Sequence, residues 1–194
     1  VSGNGQSVLA KLISGLLEPD SGTLNINGEN IKYFSPNEMQ SLGVGRIPED
    51  RHHDGVIGAM SVAENLIIER LNDKDINSRG FLQNKEINEN AKELIEKYDI
   101  RGPGVDAKAS LLSGGNIQKL ILARVFECRP IVILANQPTR GLDLGAANEV
   151  ARRLLEARKR GAGILLISED LDEIIALSDR IIVIHNGSLT EAHN

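Results

Sequence analysis

Short runs of consecutive apolar residues constrain this chain more than any other feature of it. Ile131-Val132-Ile133-Leu134 and Ile164-Leu165-Leu166-Ile167 show no polar alternation and are too short to be helices on their own. Runs of this kind fit strands covered on both faces, as in a parallel sheet. Val44-Gly45-Arg46-Ile47 reads as another buried strand, and Ile181 to Ile184 as a strand. Between them, apolar residues recur at helical spacing over Val8 to Leu17, Asn84 to Tyr98, Leu120 to Phe126 and Ala146 to Arg160. Strand and helix in alternation predict one doubly wound α/β core with a helical insertion. At 194 residues the chain is long enough to bury such a core.

Local signals punctuate this frame. Pro19-Asp20-Ser21-Gly22 predicts a turn, Thr23 to Ile26 a strand, and Asn27-Gly28 a hairpin. Ser35 before Pro36 marks the start of a short helix. Ser61 with Glu64 has the spacing of a capping box and predicts a helix over Ser61 to Arg70. Residues 72–84 are polar and read as a surface connection, and Gly102-Pro103-Gly104 closes the helical block. Leu171 to Ser178 predicts a last helix, and Asn186-Gly187 a last hairpin turn. The single Cys128 is expected to be a core thiol in an apolar helix.

The formal net charge of −5 and an aromatic content of 3% argue against nucleic acid as a partner, on electrostatic and stacking grounds alike. No apolar run approaches the roughly 18 residues of a membrane span. The expectation is a soluble, cytoplasmic chain that reaches a membrane only through another subunit.

Two stretches have the layout of phosphate cradles. In Leu112-Ser113-Gly114-Gly115-Asn116-Ile117-Gln118-Lys119, paired glycines precede an apolar-periodic helix. Unpaired N–H donors and the positive end of the helix dipole then face an incoming anion. Gly3-Asn4-Gly5-Gln6-Ser7 also runs glycines into a helix. Against G-x-x-x-x-G-K-[ST], Gly5 and Ser7 fit, Gln6 replaces the lysine, and the first glycine would precede Val1. The chain therefore reads as starting inside the motif, truncated at its N-terminal side.

LSGGNxQK at 112–119 resembles the signature motif of ABC-type ATPases, in the version found in importers of simple sugars and nucleosides. Pro48-Glu49-Asp50-Arg51, the PTRGLD run at 138–143 and the ISEDLDE run at 167–173 follow in the same order as in that family. The match is closest to the second, degenerate ATP-binding domain of two-domain importer subunits for simple sugars or for lipoprotein-delivered nucleosides. This resemblance implies a P-loop NTPase-like core over 1–48 and 120–194, with a helical subdomain and signature loop over about 49–119. It implies ATP and Mg²⁺ as cofactors, with Mg²⁺ doubtful at this chain's own site. Nucleotide contacts would come from Gly3, Asn4, Gly5, Gln6, Ser7, Glu49 and Asn136, with Ser7 a weak Mg²⁺ ligand. Gln137 and Glu169 stand where the family has its catalytic acid and switch histidine. Ser113, Gly114, Gly115, Asn116 and Gln118 would complete the ATP site of a partner domain, with the D-loop Asp143 at the same seam. The implied partners are a second ABC domain fused in the same polypeptide, transmembrane permease subunits and, indirectly, a solute-binding lipoprotein. The implied location is the cytoplasmic face of the cell membrane.

Phosphoryl transfer is catalysed by positioning and charge, so each altered residue bears on it. A lysine ammonium about 4 Å from a phosphate charge is worth on the order of 4 kcal/mol at an effective dielectric of 20. If Gln6 forfeits half of that in the transition state, the rate falls about thirtyfold. Asn136 places no negative charge opposite Mg²⁺, and Gln137 cannot take a proton from water. Glu169 puts an anion where a γ-phosphate contact is expected. Two positive charges are lost or opposed and two negative ones removed, so the changes cancel, which suits a site retuned to hold nucleotide without full Mg²⁺ chemistry. Two other functions compete: a non-transport ABC ATPase of translation or DNA maintenance, and a structural dimerisation module with no part in hydrolysis.

Overall fold

A computed structural model describes residues 3–192. In chain order the elements are α1 (Gln6–Ile13), β1 (Asn25–Ile26), β2 (Glu29–Asn30), α2 (Pro36–Ser41), β3 (Val44–Ile47) and α3 (Val62–Ile67). Next come β4 (Asn77–Ser78), β5 (Phe81–Leu82), α4 (Asn84–Lys97), a 3₁₀ turn at Ala109–Leu111 and α5 (Gly114–Glu127). The remainder is β6 (Val132–Asn136), α6 (Leu144–Lys159), β7 (Gly163–Ile167), α7 (Leu171–Leu177), β8 (Ile181–His185) and β9 (Ser188–Ala192). The chain forms two compact units: residues 1–46, 130–138 and 151–194, and residues 47–129 and 139–150.

The first unit contains the sheet β3-β6-β7, in which β6 and β7 pair in parallel from Val132 opposite Gly163 to Asn136 opposite Ile167. The predicted runs form these strands, but Ile131 lies outside β6 and is exposed, and in β7 Ile164, Leu165 and Leu166 are half-buried rather than covered on both faces. Ile133, Leu134 and Ala135 are fully buried. α1 lays Ala10 and Ile13 on Leu134, Leu165 and Ile167, and a second cluster gathers Ile26, Ile31, Met39 and Val44. The Asn27-Gly28 turn forms as expected, both residues taking positive φ (51° and 83°). Ser35 caps α2 by accepting the Glu38 amide at 3.1 Å.

α1 ends at Ile13, one turn short of the predicted Leu16 and Leu17, which are exposed. Gly15 explains the stop. Its φ is +71°, and a Cβ there would sit 2.4 Å from the Ser35 carbonyl oxygen. The predicted strand over Thr23 to Ile26 shrinks to two residues, and β8 pairs antiparallel with β9 as a half-exposed hairpin.

The second unit is helical. α3 packs against both α4 and α5, and Val62, Leu66, Ile87, Ala91, Leu94, Leu120 and Ile121 on these helices are buried. The capping box is present: Ser61 Oγ accepts the Glu64 amide, and Glu64 accepts the Ser61 amide at 2.7 Å. α3 is shorter than the predicted helix, ending at Ile67. Residues 72–84 hold a small antiparallel hairpin, β4–β5, rather than a plain connection. Cys128 is the exposed C-cap of α5, not a core thiol. The helix ends one residue earlier, so the side chain falls beyond the buried stripe.

Candidate functional site: phosphate loops, strand ends and the signature turn

Parallel pairing of β6 with β7 brings Asn136 and Ile167 side by side, so the residues after them emerge from the same sheet edge. This carboxyl edge is where open α/β sheets bind ligands. Gln137 has φ +50°, its amide donates to the Ile167 carbonyl at 2.7 Å, and its Oε1 receives the Glu169 amide at 3.4 Å. Gln137 and Glu169 therefore share one corner of the first unit. Asn136 lies just behind it, buried in the sheet.

Gly5 opens α1 in the left-handed region (φ +118°), as only glycine does readily. Gln6 does not extend away from the loop as a phosphate-binding lysine would. Its Oε1 accepts the Asn4 amide at 3.0 Å, so a carboxamide oxygen engages one of the N–H groups a phosphate cradle presents. Asn4 is also held by the β8–β9 turn. Its carbonyl accepts the Gly187 amide at 2.8 Å, and its Oδ1 accepts the Asn186 amide at 3.2 Å. Gly3 and Ser7 are exposed beside it.

The remaining predicted residues belong to the second unit. Glu49 pairs with Arg140 at 2.6 Å, and Arg51 donates from Nη2 to the Arg140 carbonyl. The loop after β3 is thereby joined to the loop before α6, and the two line an open cavity of about 630 Å³ with His52 and Gly141. Asp50 accepts the His53 and His52 amides, which hold its carboxyl below the usual range; a hydrogen bond to Asp54 raises the His53 imidazole. Asp143 accepts the Ala146 amide at 2.9 Å and so caps α6. Sequence reasoning missed Arg140 and Arg51, because their partners lie far along the chain.

Ser113 precedes α5 as an exposed N-cap, and a Cβ on Gly115 would meet nothing within 4 Å. Gly114, Gly115 and Asn116 are half-buried, and a Cβ on Gly114 would lie 3.7 Å from His52 Nε2. Gln118 is buried at 3% exposure, unlike the expected ligand role for it. Asn116 bonds to Ser113 and to the Arg101 amide.

The whole described chain has the fold of an ATP-binding cassette. It superposes on a dimeric post-hydrolysis state of the cassette MJ0796 bound to ADP and Pi with a TM-score of 0.80. The match covers 100% of this chain and 83% of that one, at 21% identity. The ABC transporter family profile matches residues 1–140. The chain belongs to the ABC transporter family.

Among curated relatives, the nucleoside import ATP-binding protein NupA of Lactococcus lactis subsp. cremoris is 44% identical over 97% of this chain and 37% of its own length. The guanosine import ATP-binding protein NupO of Bacillus subtilis is 41% identical over 100% of this chain and 38% of its own. The glucose import ATP-binding protein TsgD13 of Haloferax volcanii is 43% identical over 97% and 35%. The chain spans just over a third of the length of these relatives.

Proposed function

We propose that this chain is the ATP-binding portion of an importer for nucleosides or simple sugars, with a degenerate site of its own and a signature turn that completes the ATP site of a partner ABC domain. The observation that carries this reading is the contrast between the two cradles. The signature turn keeps an exposed serine and two glycines at the start of a helix, while Gln6 folds back onto Asn4 within its own loop. The residues present do not fit a Mg²⁺-dependent hydrolytic site: Asn136 and Gln137 are neutral, and Gln137 is engaged by the Glu169 amide. Ser7 alone is a weak ligand for a divalent ion.

In this reading ATP is held by a second ABC domain in the same polypeptide, and Ser113, Gly114 and Gly115 meet its γ-phosphate. Asp143 lies at the same seam. Permease subunits carry the solute and anchor the assembly to the cytoplasmic face of the membrane, with a lipoprotein delivering the solute from outside. Among the described residues no helix is long and apolar enough to cross a membrane, which suits a peripheral role. Nucleosides and simple sugars are named because the relatives carry both in their names.

The test is Ser113→Arg in the intact importer reconstituted in vesicles. A guanidinium blocks the turn, and ATP turnover should fall by about a hundredfold or more, the scale of losing a positioned charge-stabilising donor. Unchanged turnover would overturn the composite-site reading and favour a purely structural module.

A further inference from the structure

The signature run divides into two parts with different work. Ser113, Gly114 and Gly115 stand at the N-terminal end of α5, whereas Asn116 and Lys119, one helical turn apart, both grip the segment 99–101. Lys119 Nζ donates to the Asp99 carbonyl at 2.7 Å and to Asp99 Oδ2 at 2.6 Å. Asp99 in turn accepts from Arg101 Nε at 3.1 Å. Asn116 Oδ1 accepts the Arg101 amide at 2.8 Å, and Asn116 Nδ2 donates to Ser113 Oγ at 2.9 Å.

The orientation of the Asn116 amide follows from chemistry. A backbone N–H can only donate, so the atom facing Arg101 must be oxygen and the atom facing Ser113 must be nitrogen. Ser113 Oγ therefore accepts from Asn116. A hydroxyl carries one proton, and with a lone pair taken by Asn116 that proton points elsewhere. Ser113 Oγ makes no capping bond to the amides of its own helix, so Asn116 rather than the α5 backbone sets the direction of the hydroxyl.

From this geometry we infer that Asn116 is a positioning residue: it aims the Ser113 hydroxyl proton outward as a donor to the γ-phosphate of a nucleotide held by the partner domain. The inference rests on the composite-site reading above. Lys119 and Asp99 fix the Arg101 amide, the Arg101 amide fixes the Asn116 side chain, and Asn116 fixes the hydroxyl. A preset donor needs no reorganisation as charge develops on the phosphoryl oxygens.

The test is a double-mutant cycle on steady-state ATP turnover by the intact importer. Asn116→Asp keeps an acceptor for the Arg101 amide but cannot donate to Ser113, so the hydroxyl proton turns toward the carboxylate. Asn116→Leu removes both bonds. With Ser113 present, each should lower kcat about tenfold with KM for ATP changed less than about twofold. In a Ser113→Ala background each should change kcat by less than about threefold, because the group they act through is gone. Equal losses in both backgrounds, or no loss from Asn116→Asp, would overturn the positioning role. If Ser113→Ala itself leaves turnover unchanged, it is the composite-site reading that fails.

Discussion

Gln6 illustrates how a substitution alters more than charge. Replacing an ammonium by a carboxamide removes a phosphate counter-charge and adds an acceptor, and that acceptor engages the Asn4 amide. If the proposed function holds, Gln6→Ala should therefore leave ATP turnover of the intact protein within about twofold, since a residue already turned inward contributes little transition-state charge. A loss approaching that of Ser113→Arg would show that the first loop works after all. Cys128 makes a second residue-level case. Desolvation, reinforced by the Glu69 carboxylate, pushes its thiol up to about 11, although the residue lies at an exposed helix end. The reactive thiolate is then scarce at neutral pH. Alkylation by iodoacetamide should be slow at pH 7 and rise about tenfold per pH unit to pH 9.5, whereas a plateau near pH 9 would contradict the raised value.

At the level of elements, the caps and a buried arginine paired with a half-buried glutamate contribute to stability. Ser61→Ala removes the Oγ that accepts the Glu64 amide and should cost about 1 kcal/mol by urea titration. Glu64 has its carboxyl lowered by the Ser61 amide and then by the Ser61 hydroxyl. A carboxyl lowered on folding adds stability above its unfolded value and loses it as pH falls through the folded one. The penalty of Ser61→Ala should thus shrink below about pH 4, and a penalty that grows there would be the wrong sign. Arg124 ties α5 to its surroundings, with Nη2 on the Gly55 carbonyl at 2.7 Å and Nε 2.9 Å from Glu69. Arg124→Leu leaves Glu69 and the Gly55 carbonyl without that partner, and should cost about 3 kcal/mol or more. A loss below about 1 kcal/mol in denaturant melts would show the pair to be dispensable.

Elements whose signals are local were legible before the structure. β6 and β7 announce themselves by apolar runs, α2 and α3 by their caps, and the Asn27-Gly28 hairpin by its turn residues. β4–β5 was not legible, because two-residue strands have no room for alternation. The available sign was Arg79-Gly80, whose φ values of 54° and 87° make the turn, with Asn77 Oδ1 accepting the Gly80 amide. The candidate site was legible as motifs and illegible as contacts. Glu49 and Arg140 are 91 residues apart, and no linear pattern pairs them. The burial of Gln118 was hidden for a related reason, since its motif reads as continuous while its helix turns it inward.

At the scale of the whole molecule, the candidate site residues are divided between two units. The first holds the altered loop with Asn136, Gln137 and Glu169; the second holds the signature turn, Glu49 and Asp143. The first unit is assembled from three separate stretches of chain, and its phosphate loop depends on the last of them. Asn4 is anchored by the amides of Asn186 and Gly187. That contact spans 182 residues and has an ordering consequence during synthesis. Contacts of such separation are made late, after intervening chain has been made and collapsed. At about 5–20 residues per second, roughly ten to forty seconds of translation separate the two ends of this bond. The loop leaves the ribosome well before the β8–β9 turn that anchors it, so on a nascent chain stalled before residue 186 it would lack this hold.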